Sequence, residues 1–238
     1  MKEENKNIII VGANFSNKGA EAMLKVAKAE AQNRIPNARF YMVCNRQEAD
    51  LAKDSGFIPL YAAKPGLIKK LYGLAILALK KIYKIFTGKA YPYKDVIPIS
   101  AIKHKVSNPH YIINVSGYAF GDHWGSGQIK EMLKLISFGN FKKAKNIFLP
   151  QAWGPFNDTS VAKYATEMIN KSEVIYARDN KSYEYLSTLS DIKKSNIPIA
   201  PDIAFLFEGG ERENIKKAEL RQLFLGFDPK KIVAISPN

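Results

Sequence analysis

Arg178 is the side chain best suited to chemistry on an anion. It closes the apolar run Val174-Ile175-Tyr176-Ala177, is followed by Asp179, and stands ahead of a segment with helical spacing. A guanidinium at the end of a strand offers a planar fork that clamps a carboxylate or phosphate through two parallel hydrogen bonds, which an ammonium does not do. The same residues also admit an architectural role: an arginine–aspartate pair fixing the strand-to-helix turn, with Asp179 as helix cap.

Three further stretches could serve such a site. Gly12 ends the run Ile8-Ile9-Ile10-Val11, and Asn14, Asn17, Lys18 and Gly19 follow before a helical segment. Helix N-terminal amides beside a lysine suit an anion or sugar hydroxyls, although a glycine turn with Asn17 as cap explains the same residues. Neither a dinucleotide fingerprint nor a P-loop is present. In Ser116-Gly117-Tyr118-Ala119-Phe120-Gly121-Asp122 the glycines let backbone approach a ligand, and Asp122 could orient a sugar hydroxyl or act as a base. Gln151 and Trp153 suit a carbohydrate, the amide reading hydroxyls and the indole packing on a sugar ring, while Gly154-Pro155 fixes the turn. Packing between elements is an equal alternative for Trp153. Asp202 reads as a turn cap or the partner of a basic group. His104, His110 and His123 lack a supporting context. No His/Asp/Glu cluster has metal-ligand spacing and no Ser-His-Asp or Cys-His arrangement occurs, so neither metal nor cofactor is expected.

These residues need a frame. Apolar runs predict strands over 7–12, 39–44, 111–115, 146–150, 174–177 and 232–236. Helical spacing predicts helices over 19–33, 47–55, 67–86, 128–137, 161–171, 181–189 and 214–224. Strand and helix in turn, with strands apolar throughout, make an α/β domain: a Rossmann-like, mostly parallel sheet with helices on both faces. Ligands bind such sheets outside the carboxyl ends of the strands, where the stretches above fall.

The 238 residues carry 46% hydrophobic and 24% charged side chains, a soluble globular balance that excludes disorder. The net charge of +14 is unevenly placed, with ten lysines and one acid, Asp95, between Lys64 and Lys105. Such a block attracts phosphates, acidic glycans or an anionic membrane, or is a solvated lysine face. No zinc-finger, RNP-like or helix-turn-helix pattern accompanies it, so nucleic acid is not expected as a partner. Within it, 67–86 has an apolar centre too short to cross a bilayer. It reads as a helix packed on the core, or one lying peripherally on a membrane surface or docking a partner. The lone Cys44 excludes an internal disulfide and reads as a buried structural thiol. Met1 leads into the globular pattern without an apolar leader, so the expected location is cytoplasmic, peripheral at the inner face of the cell membrane if 67–86 meets lipid.

Taken in order, Gly12 to Glu21, Ser116 to Asp122, Leu149-Pro150-Gln151-Ala152-Trp153-Gly154-Pro155-Phe156, Ala177-Arg178-Asp179-Asn180-Lys181-Ser182 and Ala200-Pro201-Asp202-Ile203-Ala204-Phe205 resemble the polysaccharide pyruvyltransferase family. The resemblance implies the N-terminal half of a GT-B-like two-domain enzyme. Residues 1–207 would be the acceptor-side domain, and 208–238 the connection and first strand of a second, incomplete domain. It implies transfer of a pyruvyl ketal from phosphoenolpyruvate to a free or lipid-linked sugar of a cell-surface polysaccharide such as capsule or exopolysaccharide. By it, the loops after 12, 116 and 151 line the acceptor side and Arg178 binds the phosphoenolpyruvate carboxylate or phosphate. The chain departs from the family pattern at Gly19-Ala20 and Ser116-Gly117-Tyr118, and alone it is expected to be inactive. Two other classes remain open on the residues: a GT-B glycosyltransferase using a nucleotide sugar, and a non-catalytic half-enzyme or scaffold at the membrane surface.

Overall fold

The computed structural model describes residues 5–62, 97–192 and 197–208. The predicted helices over 67–86 and 214–224 and the predicted strand over 232–236 lie outside them. The chain divides into compact units Met1–Phe207 and Glu208–Asn238.

Seven strands form one sheet: β1 (Asn7–Val11), β2 (Arg39–Val43), β3 (Ile58–Leu60), β4 (Tyr111–Asn114), β5 (Tyr118–Phe120), β6 (Lys145–Trp153) and β7 (Val174–Ala177). Every pairing is parallel. Apart from the short β5, the order across the sheet is 3-2-1-4-6-7, the doubly wound Rossmann-like order. β1 is central, with Ile8 opposite Phe40 of β2 on one side and Tyr111 of β4 on the other. β6 is long enough to serve two neighbours in succession: β4 pairs with Lys145 to Phe148, and β5 pairs further along at Ala152 and Trp153. β7 pairs with β6 across a register shift between Phe148 and Gln151.

The helices are α1 (Lys18–Arg34), α2 (Ala49–Asp54), α3 (Ile99–Lys105), α4 (Gly125–Phe141), α5 (Thr159–Asn170) and α6 (Asn180–Ser187), with 3-10 turns at Arg46–Glu48 and Ile203–Leu206. Side chains alternate across each strand, and both sets are apolar because helices cover both faces. Ile8 and Ile10 of β1 join Phe40, Met42 and Ile113 under Leu24 and Ala27 of α1. Ile9 and Val11 join Ile112, Phe148 and Ile175 under Ile129, Met132 and Ile136 of α4 and Val161, Ala165 and Met168 of α5. A run such as Ile8-Ile9-Ile10-Val11 is therefore buried from both sides.

Three elements escape the sequence prediction: β3, β5 and α3. Each is seven residues or fewer, and Pro59 interrupts the pattern of β3. β6 also runs three residues past its predicted end, through Pro150, and α4 extends by a turn at each end.

Candidate functional site

The carboxyl ends of β1, β4, β6 and β7 bring their loops together. The first loop turns at Gly12, whose φ of +91° is open to glycine at little cost and whose Cα faces the β4 loop. A Cβ there would lie 2.2 Å from Ser116 Oγ. Beyond it, Asn14 Oδ1 accepts from the Ser16 hydroxyl at 2.9 Å and the Asn17 amide at 2.9 Å. Asn17 Oδ1 accepts from Gly19 and Ala20 amides at 2.9 and 3.1 Å, capping α1. Glu48 Oε1 accepts from the Phe15 amide at 2.8 Å and so fastens the loop from the side. The oxygens of Asn14 and Asn17 thus hold the loop itself. Lys18, the first residue of α1, is exposed and pairs with Glu21 at 2.8 Å; hydrogen bonds from Lys18 and Lys25 hold the Glu21 carboxyl below its ordinary pKa.

Arg178 follows β7 directly. Its backbone amide donates to Gln151 O at 3.0 Å, continuing the sheet, while Nη1 donates to Asp202 Oδ2 at 3.0 Å. Asp202 Oδ1 accepts from the Ala204 amide at 2.9 Å, so this carboxylate is both turn cap and partner of the guanidinium. Asp179 lies farther off, with Oδ2 at 3.9 Å from Arg178 Nε, because it caps α6 by accepting from the Ser182 amide at 2.7 Å. That amide is the main cause of the lowered pKa of Asp179. The edge formed by Nε and Nη2 makes no hydrogen bond among the described residues, and the side chain is 32% exposed. Gly117 lies on the Nη1 side of the guanidinium, where a Cβ would sit 3.9 Å from Nη1 and 3.3 Å from Met23 Cε of α1. The arrangement is a guanidinium oriented at one corner and available along its other edge, the geometry a carboxylate or phosphate needs.

The other predicted residues divide. Ser116 and Gly117 stand at the centre of the cluster, between Gly12 and Arg178. Gln151 is fully buried, and neither amide atom has a hydrogen-bond partner among the described residues. A buried amide left unpaired costs about 1–3 kcal/mol, which makes its presence one strand from Arg178 informative. Asn14, Asn17 and Lys18 make no hydrogen bond to Arg178.

Asp122 departs from the role of an available base. Its carboxylate accepts from the Asn157 and Asp158 amides at 2.8 and 3.1 Å, and its own amide donates to Pro155 O at 2.9 Å. It therefore fastens the loop after β5 to the turn that starts α5. Trp153 requires a correction: it is 1% exposed, stacks on Phe120 at 5.6 Å and donates from Nε1 to Tyr176 O at 2.9 Å. The packing alternative holds, since a ring enclosed on all sides cannot receive a sugar. Gly154 is likewise structural, with φ +76° and a Cβ position 2.6 Å from Tyr185 Cβ.

The exposed tryptophan of this edge is Trp124, 45% exposed, with the partly exposed Tyr118 and His123 edge-on to it at 5.9 and 4.9 Å. Tyr118 donates to Gly154 O at 2.9 Å, and burial, with Asp122 and Tyr185 nearby, pushes its phenol above the ordinary pKa. The distinguishing signal was placement: Trp124 lies in the glycine-dense stretch Gly121-Asp122-His123-Trp124-Gly125-Ser126-Gly127, whereas Trp153 ends a strand. No group of three His, Cys, Asp or Glu side chains among the described residues could hold a metal ion.

A family model described as polysaccharide pyruvyl transferase matches residues 17–236. A search of curated protein sequences returns no significant match. Among solved structures, one assigned as a UDP-N-acetylglucosamine 2-epimerase from Listeria monocytogenes aligns with 8% identity and a TM-score of 0.38. The alignment covers 79% of this chain and 43% of that structure's chain.

Proposed function

The chain belongs to the polysaccharide pyruvyl transferase family, and from that premise we propose that the loops around Arg178 bind phosphoenolpyruvate for transfer of its pyruvyl group to a sugar of a cell-surface polysaccharide. The observation that carries the reading is the Nε–Nη2 edge of Arg178, which makes no hydrogen bond among the described residues while Asp202 holds Nη1 at the end of β7. A bidentate carboxylate fits that edge. In the reaction, a proton adds to the methylene carbon of the enol phosphate, a sugar hydroxyl attacks the carbon bearing the phosphate, and phosphate leaves as a second hydroxyl of the same sugar closes the ketal. Arg178 acts in it by holding the carboxylate and offsetting negative charge. Gln151, Ser116 and Gly117 line the same end of the sheet, and Asn14, Asn17, Lys18, Gly19 and Gly154 shape it. Asp122 serves as the fastener of its loop.

Trp124 replaces Trp153 as the candidate platform for the acceptor ring, because only an exposed indole can stack on a sugar. Isothermal titration with phosphoenolpyruvate tests the reading directly. Saturable binding in the wild type that Arg178→Ala abolishes supports it. Tight binding of a nucleoside diphosphate, with no response to phosphoenolpyruvate, overturns it in favour of a nucleotide-sugar glycosyltransferase.

A further inference from the structure

A groove of about 960 Å³ runs over α3, α4 and α5. Its walls carry Lys103 from α3 and Lys130, Lys134 and Lys142 along α4 and its end, interleaved with apolar surface from Phe141 and Tyr164. The one carboxylate in the lining, Glu167, is ion-paired to Lys171, and Lys134 pairs with the buried Glu131 at 2.8 Å. The remaining ammoniums rest against aromatic faces: Lys130 Nζ lies 4.3 Å from the Tyr164 ring centroid, Lys103 5.9 Å from Phe138 and Lys142 5.7 Å from Phe141. The face is thus cationic and aromatic at once.

Phe141 marks what it meets. The ring closes α4, is 81% exposed and is followed by Lys142 and Lys143. A solvated phenyl beside ammonium groups suits the boundary between headgroups and acyl chains, where the ring leaves water and the lysines reach phosphates. A soluble anion would use the lysines and leave the ring in water. We propose that the α3–α4–α5 face docks the protein on a bilayer rich in anionic lipid, with Phe141 as the inserted ring and Lys103, Lys130 and Lys142 as its electrostatic contacts. Phe141 lies at the far end of a 17-residue helix from the Trp124 loop, a distance of about 25 Å. Docking there leaves the strand ends open to substrate.

Co-sedimentation with vesicles tests the proposal without any turnover assay. The wild type binds phosphatidylglycerol vesicles and not pure phosphatidylcholine, and the bound fraction falls as salt rises. A Lys103→Glu/Lys130→Glu variant weakens binding about thirtyfold or more. Phe141→Ser weakens it with unchanged salt dependence, and its exposure keeps the thermal unfolding midpoint close to wild type. A Lys69→Glu/Lys70→Glu/Lys80→Glu/Lys81→Glu variant retains most of the binding. Absence of wild-type binding to phosphatidylglycerol, equal binding to phosphatidylcholine, or groove variants that bind like wild type while the 67–86 variant loses binding would each overturn the proposal. Binding to heparin but not to vesicles would overturn it too, by assigning the lysines to a soluble polyanion.

Discussion

Arg178 Nη1 and Asp202 Oδ2 meet at 3.0 Å, joining the end of β7 to the 3-10 turn at Ile203–Leu206. The bond fixes the direction of the guanidinium while using only one of its corners. Arg178→Lys keeps the charge but loses the fork, and should weaken phosphoenolpyruvate binding about tenfold or more. Asp202→Asn should weaken it less, and cost at most about 1 kcal/mol of stability, since the pair is partly solvated. Calorimetric titration of the two variants, with urea unfolding as control, separates these effects; equal binding by Arg178→Lys and wild type would remove the fork from the site.

Gln151 supplies a second test, because its amide is enclosed without a partner among the described residues. Replacing it by leucine removes an unpaired buried group, so Gln151→Leu should unfold at the same or a higher urea concentration, with a gain of up to about 1–3 kcal/mol. If the amide serves the ligand, the more stable variant binds phosphoenolpyruvate or acceptor worse. A variant both more stable and fully active would leave Gln151 without a functional role.

The two tryptophans should behave as opposites. Trp153→Ala opens the centre of the aromatic cluster with Phe120 and Phe148 and should cost about 3–5 kcal/mol, whereas Trp124→Ala should change stability by less than about 0.5 kcal/mol. Acrylamide quenching should act on Trp124 and spare Trp153, so the Trp124→Ala protein should show blue-shifted, poorly quenched emission. Strong quenching in that variant would contradict the enclosure of Trp153.

Cys44 gives a pH-dependent signal. Burial, reinforced by Glu48, pushes its thiol up to about 11. At pH 8 iodoacetamide should therefore label the native protein far more slowly than the unfolded chain, whose thiol has a pKa of about 8.5. The linkage follows the same sign. The folded state holds this proton more tightly, so the contribution of Cys44 is fully present below about 8.5 and declines as pH rises toward about 11. Cys44→Ala should flatten the stability profile of the protein over that window, and an unchanged profile would count against the shift.

The central strands were legible because Ile8-Ile9-Ile10-Val11 and Tyr111-Ile112-Ile113 are apolar on both faces, a pattern that only a covered parallel sheet satisfies. Arg178 was legible because an arginine ending such a strand must emerge at the ligand-binding edge. Asp202 was legible as a turn cap or the partner of a basic group, but not as the partner of Arg178, since it is 24 residues away along the chain and reaches it only through the return to the bridge between Ala177 and Ile199. Trp153 misled for a related reason: a residue after a proline looks as though it has left the strand, but β6 continues through Pro150 to pair with β5. Asn17 shows the limit of residue type as a guide: it sits where a ligand contact was sought and spends its oxygen on the helix that follows, whereas Asp179 caps its helix as the architectural reading has it.

The position of β1 between β2 and β4 sets a schedule for synthesis. β2 and β3 emerge from the ribosome soon after β1, but the other edge of β1 waits for β4 across the 50 residues between Leu60 and Tyr111. Counted from the end of β1 the wait is about 100 residues, and at about 5–20 residues per second that edge stays unpaired for roughly 5–20 s. During that interval the nascent chain displays a row of free amides and carbonyls on its most apolar strand, a template for pairing with another copy. Polysomes, where many nascent copies stand side by side, are thus where this topology is most vulnerable.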